Sequence, residues 1–256
     1  MSPSTAPPVA NTSTAFEVSD QQRKFFHTFG FIRFENLFAG DVAEITAAFD
    51  EVVAGTDASE RATIEPGRVD QYQRAFEENA TMESYDRVHF GRRRVIVPSV
   101  IDQHERLSAI VADARFVAAA EGLLGPGYEL TGSDGNVFYC STAWHFDSFL
   151  ASMDQLYVKF FLYLDPVGAD SGALRVIPGS HAVSSDFANV LRLGTADWDS
   201  IESQFGVSGT DIPNCVVPSR PGDLIATYYR IQHATFGTDD PRRLIAINAH
   251  AAPTSP

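Results

Sequence analysis

After Gly127 the sequence stops repeating at helical spacing and breaks into short β-rich runs, a change that constrains the fold more than any other feature. YELTGS, NVFYCSTAWHF, QLYVKFFLYL, GALRVI, NCVVP, DLIATYYRIQHATF and RLIAINAH follow one another between clusters of Gly, Pro, Asp and Ser. Seven or eight strands with no long helix between them exclude an alternating βα sheet. They predict a mainly β protein, an antiparallel sandwich or barrel, with the helices of the first half packed on an outer face.

Those helices can be read from their ends. Ser19 followed by Gln22 is a capping-box pattern, and Phe25, Phe26 and Phe29 then lie on a short helix that stops at Gly30. A strand, FIRF at 31–34, comes next. From Asp41 the apolar residues Val42, Ile45, Phe49 and Val52 recur at helical spacing until Gly55. Residues 56–92 are polar with weak periodicity and read as a loop, with one helical turn near Met82–Tyr85. A single helix is expected over about 103–124, ended by the GPG at 125–127. Residues 1–15, rich in Pro, Ser, Thr and Ala, cannot bury enough apolar surface to offset their ordering entropy and are expected to form a disordered tail.

Charge narrows the partners. The chain carries 19 Lys and Arg against 33 Asp and Glu, a net charge of −14, and such a field repels nucleic acid and anionic membranes. No run approaches the roughly 18–20 apolar residues that span a bilayer. The amino terminus has neither the basic nor the apolar region of a signal peptide, so a cytoplasmic location is expected. Cys140 and Cys215 form no metal-type cluster and suit a reducing compartment.

The chemistry concentrates in a few residues. His145 and Asp147 stand as His-x-Asp in WHFD, and alternate positions at a strand end point to the same side. His233, in DLIATYYRIQHATF, lies on a run that can return beside the first. Two imidazoles and one carboxylate on one face, with coordination positions left open, suit a non-haem Fe(II) ion that must also bind a cosubstrate and oxygen.

The order WHFD (144–147), YLDP (163–166), GALRVIPGSH (172–181), PGD (221–223), His233 and PRR (241–243) resembles the Fe(II)/2-oxoglutarate-dependent oxygenases of the phytanoyl-CoA dioxygenase family. The matching blocks span about 130–250, and a weaker similarity covers the amino-terminal helices and FGFIRF. The resemblance implies a double-stranded β-helix, of jelly-roll or cupin-like kind, in one oxygenase domain over 16–252. Its helical part would run over about 19–124 and its β core over about 128–250. It also implies that His145, Asp147 and His233 bind Fe(II), that 2-oxoglutarate and O2 are cosubstrates, and that an arginine past the distal histidine pairs with the far carboxylate of 2-oxoglutarate.

Arg242 and Arg243 are the candidates, because a planar guanidinium matches a carboxylate with two parallel bonds. Alternation puts Arg242, Leu244 and Ala246 on one face and Arg243, Ile245 and Ile247 on the other, without choosing between them; the family pattern favours Arg242, directly after Pro241. Thr142 and Asn136 lie where relatives place further partners of the cosubstrate. His181 falls in a block that is a turn in the family and is not expected to be a ligand. Lys159 interrupts an apolar strand, and a lysine there is expected to reach for solvent ahead of an inner carboxylate. Arg94, in the only basic run, is a candidate for pairing an anionic substrate group at the pocket mouth. Phe149, in a loop expected over the metal, is a candidate for the substrate pocket.

The resemblance implies hydroxylation of a C–H bond of a small molecule, with release of succinate and CO2. Asp147 favours this over halogenation, because related halogenases replace the carboxylate with a small residue. Desaturation, epimerisation and cyclisation share the same ligands. The rivals are a cupin-type metalloenzyme without 2-oxoglutarate, which would usually carry His-x-His and a glutamate, and a noncatalytic β-barrel that keeps the triad for stability.

Overall fold

A computed structural model of the chain describes residues 16–55, 94–138, 141–147, 155–182, 206, 209–237 and 240–252. The tail at 1–15, the loop at 56–92, Cys140 and Phe149 lie outside the described residues.

Helix α1, Asp20–Phe29, begins at the expected capping box: the Ser19 hydroxyl accepts from Gln22 N, and the Gln22 side chain accepts from Ser19 N. It ends at Gly30, whose φ of 84° suits glycine and whose missing Cβ matters, since one would lie 2.4 Å from Nδ1 of His181. Strand β1, Phe31–Phe34, and helix α2, Val42–Gly55, then follow as the spacing predicts. After strand β2, Arg94–Pro98, the single helix expected over 103–124 is two helices, α3 at Glu105–Ala112 and α4 at Ala114–Leu124. Asp113 makes the break: extended at φ −67° and ψ 133°, it closes α3 and caps α4 by accepting from Arg115 N at 2.8 Å. Apolar spacing continues through this corner, so periodicity alone does not reveal it.

The remaining strands are β3 (Glu129–Phe138), β4 (Thr142–His145), β5 (Tyr157–Tyr163), β6 (Leu174–Val176), β7 (Cys215–Val217), β8 (Leu224–Tyr228), β9 (His233–Thr235) and β10 (Arg242–His250). They form two antiparallel sheets, six strands in the order β1-β8-β5-β10-β3-β2 and four in the order β4-β9-β6-β7. This is the double-stranded β-helix, with the helices outside. Two runs read as single strands are each divided between the sheets: NVFYCSTAWHF ends β3 and supplies β4, and DLIATYYRIQHATF supplies β8 and β9. At the second corner Ile231 N donates to Tyr228 O at 3.1 Å, a turn made without Gly or Pro. Conversely, YELTGS and NVF merge into β3, because Gly135 is no turn: a Cβ there would lie 2.9 Å from Phe49 and Val100.

The larger sheet has two apolar faces, as strand alternation dictates. Val158, Phe160 and Leu162 of β5 and Ile245, Ile247 and Ala249 of β10 join one core with Phe26, Ile45, Phe49, Leu107 and Phe116 of the helices. Phe161, Tyr163, Leu244 and Ala246 face the other way, into a second core with Leu174, Val176 and Val217 of the smaller sheet. Each fully buried Phe or Leu contributes about 1.5–3 kcal/mol through area removed from water. The helical layer thus holds the large sheet rigid from behind, while its front face lines a cavity.

Candidate active site

His145 ends β4 and His233 begins β9, and antiparallel pairing sets them directly opposite each other, ring centroids 4.2 Å apart. Asp147 follows two residues after His145, its backbone N–H donating to Tyr229 O at 2.8 Å. One ligand atom from each of the three lies within 4.8 Å of the others.

The protonation states suit a cation. His233 is 4% exposed, and burial holds its pKa below the ordinary value despite the opposing pull of Asp147. Its Nδ1 meets Ile231 O at 3.0 Å, so the ring donates there and turns the lone pair of Nε2 toward Asp147, 3.7 Å from Oδ2. Burial pushes the Asp147 carboxyl up, but the charges of Lys159, His233 and His145 together outweigh it and bring the pKa to about 2. Asp147 Oδ2 is buried without a hydrogen-bond partner. An orphaned carboxylate oxygen beside two imidazole nitrogens is a donor set that a divalent ion completes.

Arg242 lies at the other end of the same cavity. Only 3% exposed, it donates from Nη2 to the Thr235 hydroxyl at 2.6 Å, which in turn lies 2.6 Å from that of Thr142. The guanidinium covers the Phe138 ring, 5.1 Å from its centroid. Gly172, at φ 87°, makes room for it, since a Cβ would lie 2.5 Å from Nη1. Burial lifts the nearby Tyr163 hydroxyl to about 12, against a smaller downward pull from Arg242, so it remains a hydrogen-bond donor. Asn136 lines the cavity from β3, its amide donating to Asp134 O at 3.3 Å.

Of the two arginines, only Arg242 faces inward. Arg243 is bound on the other face by Asp165 of the YLDP turn and by Asp50 of α2. The triad, Arg242, Thr142 and Asn136 thus all border one cavity. A larger groove, bordered by Arg33, Pro166 and Arg220, contains none of them. His181 is elsewhere, its ring tilted against that of Tyr228 with centroids 4.3 Å apart and with Nε2 3.2 Å from His27 O. The strand β2 sets Arg94 opposite Phe138 in register, but the Arg94 side chain is not among those described.

Lys159 does not reach for solvent as expected: its Nζ donates to Asp147 Oδ1 at 2.7 Å. An inward position on β5 turns the ammonium into the cavity, where the carboxylate answers its charge. Thr235 and Tyr163 were not singled out from the sequence. Thr235 stands two residues after His233, and that spacing on a strand is a signal for a shared face.

Two of three comparisons with known proteins find relatives of this chain. A family model described as phytanoyl-CoA dioxygenase (PhyH) matches residues 26–244. A search of curated proteins finds no match. Among solved structures, the non-heme α-ketoglutarate-dependent carbocyclase SnoK from nogalamycin biosynthesis superposes with a TM-score of 0.64 at 18% identity, covering 91% of this chain and 84% of its own. HygX from Streptomyces hygroscopicus, with nickel and 2-oxoglutarate bound, gives 0.63 at 17% identity over 93% and 89%. EctD from S. alaskensis, with 2-oxoglutarate and 5-hydroxyectoine, gives 0.61 at 20% identity over 91% and 76%. These likenesses establish the fold, and the family match extends from α1 into β10 across all three triad residues. The chain belongs to the phytanoyl-CoA dioxygenase family of Fe(II)- and 2-oxoglutarate-dependent oxygenases.

Proposed function

We propose that the protein hydroxylates a C–H bond of a small molecule, with His145, Asp147 and His233 holding Fe(II) and Arg242 holding 2-oxoglutarate by its far carboxylate. The observation that carries this reading is the convergence of three ligand atoms within 4.8 Å in a cavity that also contains a buried arginine. When bound, iron and 2-oxoglutarate supply the oxidant, with O2 consumed and succinate and CO2 released.

The protein's own contribution is positional. Arg242, braced by Thr235, presents a charged fork at one end of the cavity, and Thr142 and Asn136 add polar edges that fix the cosubstrate's orientation. His145 and His233 offer ring nitrogens, burial favouring the neutral form of His233, and Asp147 offers an anionic oxygen. Phe161, Leu174 and Leu244 make the walls apolar, which excludes water from reactive chemistry. The substrate occupies the remainder of the cavity, where Arg94 and Phe149 are the proposed further contacts.

The reading includes a cytoplasmic setting, which suits both a ferrous ion and the free thiol of Cys215. Among the described residues no helix is long and apolar enough to cross a membrane. A second reading has a specific basis: the structural neighbours include a carbocyclase and an epimerase, so cyclisation or epimerisation on the same ligands is the alternative outcome.

Anaerobic titration of the iron-loaded protein with 2-oxoglutarate tests the cofactor assignment. A weak visible charge-transfer band is expected, and its absence favours a metalloenzyme without 2-oxoglutarate or a noncatalytic barrel. Succinate release across a substrate library, with product analysis by mass, then separates a gain of oxygen from cyclisation, desaturation or epimerisation.

A further inference from the structure

Strand β5 alternates strictly. Val158, Phe160 and Leu162 pack under the helices, while Lys159, Phe161 and Tyr163 face the cavity. An inward lysine in such a strand needs a partner, and three oxygens are near it in the fold. Asn248 and Thr227 stand opposite Lys159 on the two flanking strands, and both Asn248 Oδ1 and Thr227 Oγ1 are buried without a hydrogen-bond partner. The ammonium uses neither. Its bond goes to Asp147 Oδ1 at 2.7 Å, with Phe161 and Tyr229 rings 5.7 and 5.9 Å from Nζ.

The pairing divides the carboxylate. Oδ1 is taken by Lys159, while Oδ2 has no hydrogen-bond partner and lies 3.7 Å from His233 Nε2. The backbone N–H of Asp147 donates to Tyr229 O, which fixes the main chain but neither carboxylate oxygen. A carboxylate left to itself can chelate through both oxygens. An octahedral ferrous ion has about six positions, of which three protein atoms, a two-point keto acid and oxygen require all. A second oxygen from Asp147 would displace one of them.

We propose that Lys159 is a positioning residue of the metal centre: by holding Oδ1 of Asp147 it confines that carboxylate to one-oxygen ligation and keeps the other positions open for 2-oxoglutarate and oxygen. The inference rests on the cofactor reading given above. It makes a prediction unlike that for an ordinary partner of a metal ligand, whose loss weakens metal binding. An ammonium beside a dication opposes it by charge. Removing it therefore spares the metal and harms the cosubstrate.

The test uses the full-length protein loaded anaerobically with Fe(II), or with Co(II) for its visible spectrum. Lys159→Met keeps the length and apolar stem of the side chain but no donor. It is expected to bind Co(II) at least as tightly as the unaltered protein, to show an altered Co(II) spectrum before 2-oxoglutarate is added, and to bind 2-oxoglutarate about tenfold or more weakly. Lys159→Gln, which restores a neutral donor, is expected to recover part of that loss and serves as the readout if the Met variant fails to fold. Unchanged 2-oxoglutarate affinity and spectrum in Lys159→Met overturn the proposal. So does a parallel loss of metal and 2-oxoglutarate in a folded variant, or, where only Lys159→Gln folds, weaker metal binding in that variant. If the unaltered protein itself binds metal but gives no 2-oxoglutarate band, the cofactor reading fails, and this inference with it.

Discussion

Arg242 on the last strand of the larger sheet donates to the hydroxyl of Thr235 on the smaller sheet, 2.6 Å away, and so spans the cavity at the end opposite Lys159. Thr235 braces the guanidinium through a neutral hydroxyl, itself 2.6 Å from that of Thr142. A carboxylate arriving at this end meets a fork already held in place. Arg242→Ala is expected to weaken 2-oxoglutarate by about 2–5 kcal/mol, well over tenfold in its apparent constant. Arg242→Lys should recover only part, since an ammonium lacks the fork geometry. Steady-state kinetics with 2-oxoglutarate varied at saturating substrate measures both.

Arg243→Ala should separate stability from cosubstrate binding. Arg243 bonds to both oxygens of Asp165 and to Asp50, tying β10 to the turn after β5 and to α2. These groups are partly exposed, so the expected loss is about 1–2 kcal/mol, somewhat above that of an isolated surface pair. Thermal unfolding should show it, while the apparent constant for 2-oxoglutarate stays unchanged.

His145→Ala, Asp147→Ala and His233→Ala should each leave a folded protein that loses iron or turnover. Each removes one of the three proposed protein ligands, and the open positions cannot replace it. His181→Ala should retain iron. Metal content after gel filtration, beside circular dichroism, distinguishes the two groups, and iron lost in His181→Ala but kept in His233→Ala would reverse the ligand assignment.

Asp147→Gly probes the reaction. Without the carboxylate a coordination position opens to halide, so hydroxylation should collapse, and chloride becomes a candidate ligand. Product analysis with and without chloride reads this directly; full hydroxylation in the variant would mean that Asp147 is no ligand.

His181 should contribute to acid sensitivity. Burial lowers its pKa from the ordinary 6.5, helped by Arg230 and His27 and opposed by the hydrogen bond to the His27 carbonyl. A histidine depressed in the fold takes its proton more readily when unfolded. Its stabilising contribution is complete above the ordinary value and declines as pH falls through the folded one. Melting temperature should therefore drop as pH falls below about 6.5, and His181→Phe, which keeps an aromatic ring against Tyr228, should reduce that drop.

Much of the site is legible in the sequence because strand geometry is simple. His145 and Asp147, two apart at a strand end, are read from alternation, and the same rule leaves Arg242 and Arg243 on opposite faces. What alternation does not supply is direction: which face of β10 is inward depends on the helical layer, and only the fold shows Arg243 meeting Asp50 beneath α2. Lys159 illustrates the same limit, since reaching solvent or turning inward depends on which side of β5 the helices cover. Chain corners are the other blind spot. Tyr229–Gln232 and Asp113 interrupt elements without Gly or Pro, and the turn is made by backbone bonds and a side-chain cap that composition does not advertise.

The pairing of β4 with β9 also orders events in time. Among the described residues four strands, β5 to β8, lie between His145 and His233 along the chain, so the two rings meet only when β9 has returned to pair beside β4. Contacts of such long sequence separation form slowly and late in folding. An extended or half-folded chain carries the three candidate ligands but no place where they converge. The metal site proposed above is thereby a property of the finished barrel, one that its precursors lack.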